Sequence, residues 1–146
     1  MSEPRTTRYR LRRGAWGIAV DLTASVSTGT EAPEGADRIS AHVWLDASPV
    51  LTHPPADRTG WRITPEEADR LRHGVALAAP AVESRHAPAH TTVTVHRVAF
   101  PLTDYEPEGL TSAVLQWLGE EFRTALPSAN LPPAEISDNA APSGQQ

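Results

Sequence analysis

The residues best suited to acid–base chemistry are one histidine and two aspartates: His42, Asp46 and Asp21. An imidazole beside a carboxylate can act as a general base when the two groups are buried together. The apolar residues around them alternate with period two, which places all three side chains on the outer face of a sheet. Because that face is open to water, we expect ordinary polar residues there and assign no catalytic residue.

Two further polar groups lie outside these strands. Asp104-Tyr105-Glu106 precedes a predicted helix, where carboxylates complement the helix N-terminus and would cap it. His86 and His90 lie in one loop and could bind a divalent metal if they converged with His42 or His53. No cysteine is present and no carboxylate lies at tight spacing beside them. We therefore predict no metal site and no cofactor.

Known catalytic motifs are absent from the chain. It contains no GxGxxG or GxxxxGK[ST] phosphate-binding loop, no HExxH zinc motif and no GxSxG nucleophile elbow. The lack of cysteine also excludes disulfides, thiolate metal sites and a cysteine nucleophile. The sequence therefore argues against an enzyme more than for one.

Trp44 is the most informative single residue, since it lies between His42 and Asp46 on the outer face. A large aromatic side chain there needs cover, which either the proline-rich segment 47–59 or a binding partner could provide. Tryptophan and arginine are enriched at protein interfaces. We predict an interface formed by His42, Trp44 and Asp46 together with Arg10 and Arg12.

The charge distribution is uneven. The chain has 146 residues, a net charge of -5, 13 arginines and no lysine, a usage typical of GC-rich bacterial coding. Five of the 13 arginines lie in the first 13 residues, opposed by Glu3 alone. We expect residues 1–9 to form a flexible basic arm. The structural interpretation of its charge is a solvated strand edge or a frayed terminus, and the functional one is an anchor for phosphate or for an acidic partner. The acidic remainder argues against nucleic acid as a partner.

The length allows one domain, expected over residues 10–126. The tail 127–146 is rich in proline, alanine and serine and is expected to be disordered. No apolar signal region follows the N-terminus, and the most apolar stretch, 75–82, is far shorter than the ~20 residues of a spanning helix. We expect a cytoplasmic protein that does not associate with membranes.

Apolar periodicity predicts the elements that would position these residues. Period-two alternation over 16–27 and 39–46 indicates two strands, expected to be antiparallel to each other. Either residues 50–53 or residues 61–63 could form a short edge strand, and the sequence does not decide between them. Thr64-Pro65-Glu66-Glu67 is a capping-box helix start, and Pro80 either ends or kinks that helix.

The C-terminal half adds one strand and one helix. Residues 91–100 form a β-branched strand whose phase changes, which predicts a bulge near His96 and Arg97. An amphipathic helix runs from Leu110 to near Leu126. The prediction is an α+β two-layer sandwich of order β-β-(β)-α-β-α, in which two helices cover one face of a three- to four-stranded, mainly antiparallel sheet.

This order, together with the strand 91–100, Asp104 and the helix 110–118, resembles the ribosomal protein S5 domain 2-like fold, as in the fourth domain of elongation factor G. The resemblance covers about residues 38–125 and rests on fold-determining apolar positions. It implies a fold and carries over no function, since the chain has no GTPase domain and no P-loop.

These observations favour a non-catalytic binding or accessory protein that acts through a protein interface on the open sheet face. A second copy of the chain is one candidate partner for that interface, which would give a homodimer. Two alternatives remain open. One is a small enzyme that uses histidine and aspartate on that face, and the other is an RNA- or ribosome-associated module supported by the arginine arm.

Overall fold

The computed structural model describes residues 3–13, 16–53, 60–101 and 105–123. Its strands are β1 (Arg5–Arg13), β2 (Trp16–Gly29), β3 (Asp37–Arg38), β4 (Val43–Asp46) and β5 (His90–Ala99). Its helices are α1 (Ser48–Leu51), α2 (Pro65–His86) and α3 (Glu108–Phe122).

The strands form one mixed sheet in the order β1-β2-β5-β4-β3. Neighbouring strands are antiparallel except for β4 and β5, which are parallel. Helix α3 packs against β1 and β2, α2 packs against β4 and β5, and the two helices contact each other. The α+β prediction is confirmed, with five strands instead of three or four.

Strand β1 lies where the domain prediction placed a flexible arm, and it agrees with the alternative of a strand edge. Residues 5–9, expected to be part of a flexible arm, pair with β2 in a register that runs from Arg5 opposite Ala24 onward. This segment pairs as a strand because inward-facing side chains alternate with its arginines, a pattern that the arginines obscure in the sequence. Thr7 is buried, and Tyr9 and Leu11 pack against the core.

The start of β1 is fastened to α3 through Arg5. Its guanidinium carbon lies 4.6 Å from the centre of the Trp117 ring, and Nη2 donates to the Trp117 carbonyl at 2.9 Å. Glu120 and Glu121 accept from the same guanidinium. In return, Trp117 Nε1 donates to the Arg5 carbonyl at 2.8 Å. Trp117 is fully buried, so this contact joins the strand to the core.

Strand β4 covers only the second half of the predicted strand 39–46, where it has the predicted faces but different neighbours. Val43 and Leu45 are fully buried, as their alternation indicated. The expected antiparallel pairing with the first strand is wrong, because β5 lies between β2 and β4. Trp44 pairs with Thr92 of β5 and with Arg38 of β3. Alternation specifies which face a residue occupies and not which strand lies beside it.

Neither candidate edge strand between residues 50 and 63 is present in the described residues. Residues 48–51 form the short helix α1, because Pro49 suits a first helical turn. Trp61 N donates to the Val98 carbonyl, and Ile63 N donates to the Val50 carbonyl, each at 3.0 Å. Residues 54–59 lie outside the described part of the chain.

Helix α2 begins at the predicted capping box. Glu67 N donates to Thr64 Oγ1 at 3.1 Å, and Thr64 N donates to Glu67 Oε1 at 2.8 Å. Glu67 Oε2 also accepts from the Tyr105 hydroxyl. Burial, reinforced by this hydrogen bond, raises the pKa of Tyr105 far above its ordinary value.

Pro80 lies inside α2 and does not end it. The carbonyl that loses its hydrogen bond belongs to Ala76, and both residues are exposed. Water can therefore satisfy that carbonyl, so the proline is tolerated. The predicted apolar face is confirmed, because all of its members are fully buried: Ala68, Leu71, Val75 and Ala78.

Helices α2 and α3 approach closely at Gly74. A Cβ atom on Gly74 would lie 2.3 Å from Val114 Cγ1 and 2.8 Å from the Thr111 carbonyl oxygen. Thr111 Oγ1 donates to the Arg70 carbonyl at 2.7 Å across the same contact. The absence of a side chain at Gly74 is therefore what permits this helix spacing.

The predicted bulge in β5 is confirmed. Thr23 pairs with Arg97 and Ala24 pairs with Val95, which leaves His96 as the extra residue. His96 Nε2 and Ser25 Oγ are hydrogen bonded at 2.7 Å. The bulge restores Val98 to the buried face.

Helix α3 ends earlier than predicted, at Phe122 in place of the neighbourhood of Leu126. Arg123 adopts the left-handed conformation, with φ 52°, and closes the helix. Asp104 and the tail 127–146 lie outside the described residues. In the described part of the chain, no helix is both long and apolar enough to cross a membrane.

Candidate interaction surface

The face of the sheet opposite α2 and α3, hereafter the open face, is covered by neither helix. Its register follows from the buried stripe, since residues that alternate with Ile18, Val20, Leu22 and Leu45 point away from the core. Small hydroxyl side chains occupy its centre: Thr6, Thr23, Ser25, Ser27, Thr92 and Thr94.

The open face is basic although the chain is acidic. Strand register places five arginines on this face: Arg8, Arg10, Arg12, Arg38 and Arg97. Two aspartates, Asp21 and Asp46, accompany them in the described residues. The whole chain carries a net charge of -5, so positive charge is segregated to this side of the sheet.

Three of these arginines form a row on β1, which we call the arginine row: Arg8, Arg10 and Arg12. All three are exposed. Arg10 Nη1 lies 2.9 Å from Asp21 Oδ1 on β2. Within the described residues, Arg8 and Arg12 have no acidic partner within ion-pair distance. Two of the three charges of the row, those of Arg8 and Arg12, are therefore uncompensated by the described residues at the end of the sheet.

A groove of about 290 Å³ adjoins this row where β1, β2 and β5 meet. Arg10 and Asp21 form one wall, and Trp61 and Phe100 form another. The Trp61 and Phe100 rings are stacked with their centres 5.5 Å apart. Trp61 Nε1 donates to the Phe100 carbonyl at 2.9 Å, which fixes the indole. The volume falls just below the range of about 300–1,000 Å³ usual for small-molecule sites.

Trp44 lies at the far end of the open face and is half-buried. The Arg38 guanidinium carbon lies 5.6 Å from the centre of its ring, because β3 pairs Arg38 directly opposite Trp44. Trp44 Nε1 donates to His90 Nδ1 at 3.1 Å. Among the described residues, the cover that Trp44 needs thus comes from Arg38 and His90.

His42 turns toward α2 and bonds to Glu83. The Glu83 carboxylate accepts from Ser40 Oγ at 2.5 Å and from His42 N at 2.7 Å, and its Oε1 lies 2.7 Å from His42 Nδ1. The hydrogen bond from Ser40, followed by those from His42, lowers the pKa of Glu83 to about 2. The carboxylate is therefore ionised at neutral pH.

This cluster lacks the geometry of a nucleophile and its base. A serine nucleophile needs a hydrogen bond to the imidazole, whereas Ser40 donates to Glu83. His90 Nδ1 accepts the indole N–H of Trp44, since an indole can only donate. In the residues described, no three histidine, aspartate or glutamate side chains are placed to share a metal ion.

The predicted interface residues lie in separate parts of the sheet and do not form one site. Trp44 and Arg10 are three strands apart and eight residues apart along the sheet, about 30 Å from standard strand spacings. Asp46 Oδ1 accepts from Ser48 N and Oγ and so caps α1. By the same spacings, Asp21 lies about 15 Å from Asp46, so these carboxylates share no site with His42.

Sequence reasoning missed Arg38, Arg97 and Glu83. The phase change at His96 was a usable signal for Arg97, because a bulge moves the following residue to a definite face. Arg38 required the short strand β3, whose two residues carry no alternation. Glu83 required knowing that α2 continues past Pro80.

No protein-family model, no curated protein and no solved structure matches this chain. The resemblance to the ribosomal protein S5 domain 2-like fold therefore stays a prediction.

Proposed function

We propose that this chain is a non-catalytic binding module whose open face takes an acidic segment of a protein partner. The observation that carries this proposal is the charge segregation. Five arginines and two aspartates occupy the open face of a chain whose net charge is -5. Complementary potentials steer association and select partners.

Because dissolved salt screens distant charges, the charge on the open face affects binding there more than the net charge of the chain does. The Debye length is about 8 Å at physiological ionic strength, and the helices lie on the opposite side of the sheet from the open face. A short acidic segment on the open face would therefore meet the arginines while the acidic residues of α2 and α3 are largely screened. A long polyanion would extend beyond the arginines.

An acidic protein segment fits the face better than a nucleic acid does. Proteins that bind single-stranded nucleic acids stack bases on exposed aromatic side chains. Trp44 on this face is already contacted by Arg38 and His90, and Trp61 is stacked on Phe100. Hydroxyl side chains occupy the centre of the sheet, where such a stacking platform would be needed.

A binding role also agrees with how the polar residues are used. Asp46 caps a helix turn, Asp21 pairs with Arg10, and Ser40 and His42 bond to Glu83. His42, Asp46 and Asp21, the three groups suggested for acid–base chemistry on the open face, thus each contact a structural partner. These contacts support the binding proposal over the enzyme alternative.

Fluorescence anisotropy with a labelled oligoglutamate peptide tests the proposal. We expect binding that weakens as salt rises, and an affinity at least ten-fold lower in the Arg97→Glu variant. Arg97 is exposed and donates one long hydrogen bond, 3.3 Å, to Thr23, so the variant is expected to fold. Oligolysine of equal length should not bind.

Arg85→Glu is the matched control, because it changes the charge equally on the exposed surface of α2. It should bind oligoglutamate like the parent chain. Equal losses in both variants, or no binding by the parent, would contradict the proposal. Binding of oligouridine RNA without binding of oligoglutamate would overturn it in favour of a nucleic-acid module.

A further inference from the structure

The outer edge of β1 is the part of the open face best suited to a specific contact. We infer that this edge accepts an extended segment of the partner as an additional strand, in which acidic and apolar side chains alternate. This inference rests on the proposed function and specifies its partner and mode of binding.

The edge is long and its position is terminal. β1 spans 9 residues and lies at the end of the sheet order, whereas β3 at the other end spans 2. Alternate residues of an edge strand direct their backbone N–H and C=O groups outward, where another strand can pair with them. In the described residues, β1 is the longer of the two edges by seven residues.

The side chains of β1 determine which residue types suit each face of the added strand. Arg8, Arg10 and Arg12 point to the open face, and directly opposite positions on a neighbouring strand have Cβ atoms about 4.5–5.5 Å away. Acidic side chains fit there. Tyr9 and Leu11 point to the helix side and are partly buried, so apolar side chains of the added strand would extend the core at that side.

A second copy of the chain is a poor occupant of the same edge. Pairing of β1 with another β1 would place one arginine row beside another on the same face. Like charges directly opposite in neighbouring strands are destabilising. The arginines thus discourage self-pairing, as charged residues commonly do on edge strands, while they leave the edge suited to an acidic strand.

The edge is also held in place before any partner arrives. Arg5 fastens its start to Trp117. Gln116 Nε2 donates to Thr7 Oγ1 at 2.8 Å and to the Arg8 carbonyl at 3.0 Å. An ordered edge loses less conformational entropy on binding than a flexible arm would. β1 is therefore ordered before binding, and an added strand would share the Arg8 carbonyl with Gln116.

Two peptides of equal composition separate strand addition from simple charge attraction. The first alternates glutamate and valine over nine residues, the length of β1, and the second carries the same glutamates in one block followed by the valines. We expect the alternating peptide to bind at least ten-fold more tightly. Arg8→Glu should reduce that affinity at least ten-fold, and Arg85→Glu should leave it unchanged.

Amide hydrogen exchange of the full chain locates the contact. The alternating peptide should protect amides at every second residue between Arg5 and Arg13, since only those point outward. Equal affinity for the two peptides, or no new protection in β1, would overturn the strand-addition inference while leaving the proposed function standing. Failure of both peptides to bind would overturn the proposed function as well. Protection that rises with protein concentration alone would show a second copy to be the occupant.

Discussion

Glu83 is the residue on which the β3–β4 connection depends. It accepts hydrogen bonds from Ser40 Oγ and His42 N and binds the His42 ring, and all three partners precede β4. His42 also supplies the carbonyl that accepts from Thr91 N at 2.8 Å. One carboxylate on α2 thus holds the turn that leads into the parallel strand pair.

The lowered pKa of Glu83 makes this contact sensitive to acid. Its folded pKa, about 2, lies below the ordinary 4.5, so the stabilisation is complete above about pH 4.5 and is lost as the pH falls toward 2. We expect Glu83→Gln to lower the free energy of unfolding at pH 7 by about 1–2 kcal/mol. Its stability should also fall less steeply than the parent's between pH 5 and 2, as measured by urea unfolding.

Glu34→Gln serves as the control, since Glu34 is exposed in the loop before β3. That variant should keep the parent's stability and its pH dependence. An unchanged acid slope in Glu83→Gln would show that the carboxylate does not hold the turn.

At the scale of elements, the spacing of α2 and α3 depends on Gly74. Replacing a helical glycine by alanine ordinarily stabilises by up to about 1 kcal/mol. At Gly74 the added Cβ would lie 2.3 Å from Val114 Cγ1, so the helices must separate. We expect Gly74→Ala to lower the free energy of unfolding by about 1–3 kcal/mol, measured by chemical denaturation.

Gly29→Ala is the matched change, because no atom lies within 4 Å of its added Cβ. It should have little effect on stability. A Gly74→Ala protein as stable as the parent would mean that the helices can repack around the extra methyl group. Where Gly74→Ala does lose stability, the double variant Gly74→Ala, Val114→Ala should recover part of the loss, since it removes Val114 Cγ1 and leaves the contact with the Thr111 carbonyl oxygen.

The elements also show what sequence alone could specify. Alternation in β2 and the capping box of α2 are local patterns, and both were predicted with their buried faces. The bulge at His96 was predictable because a buried stripe changed phase within one strand. The start of β1 was predicted as a basic arm because arginines alternate there with the inward-facing side chains of Thr7, Tyr9 and Leu11.

Strand neighbours and polar partners depended on long-range contacts instead. Nothing local in β4 shows that β5 will lie beside it, and nothing near Glu83 shows that it will meet His42 more than 40 residues earlier. The sequence therefore predicted which face of the sheet these residues occupy, and it did not predict which of them lie close together. Trp44 and Arg10 were each placed on the open face, and their wide separation emerged only from the strand order.

At the scale of the whole molecule, Arg5 joins the first strand to the last helix. We expect Arg5→Ala to cost about 1–2 kcal/mol through loss of its hydrogen bonds and its contact with the Trp117 ring. Amide exchange at the start of β1 should rise more than exchange in β5. This local loosening is measurable by mass spectrometry of the exchanged chain.

Arg12→Ala provides the comparison, because Arg12 is an exposed arginine of the same strand and carries no bond to α3 in the described residues. It should leave exchange at Arg5–Tyr9 unchanged. Uniform acceleration across the sheet in Arg5→Ala would indicate global destabilisation and contradict a local role for the contact.

The position of β5 has a consequence for the order of assembly. Among the described residues it is the last strand in sequence order, yet it pairs with β2 on one side and β4 on the other. In a nascent chain that ends before His90, the β1–β2 pair and the β3–β4 pair are not joined into one sheet, because β5, which lies between them, has not yet been synthesised. Because loop closure over such separations slows folding, we expect the entry of β5 to limit the folding rate. Until then β2, one of the longest apolar stripes in the chain, is exposed to whatever else can pair with it.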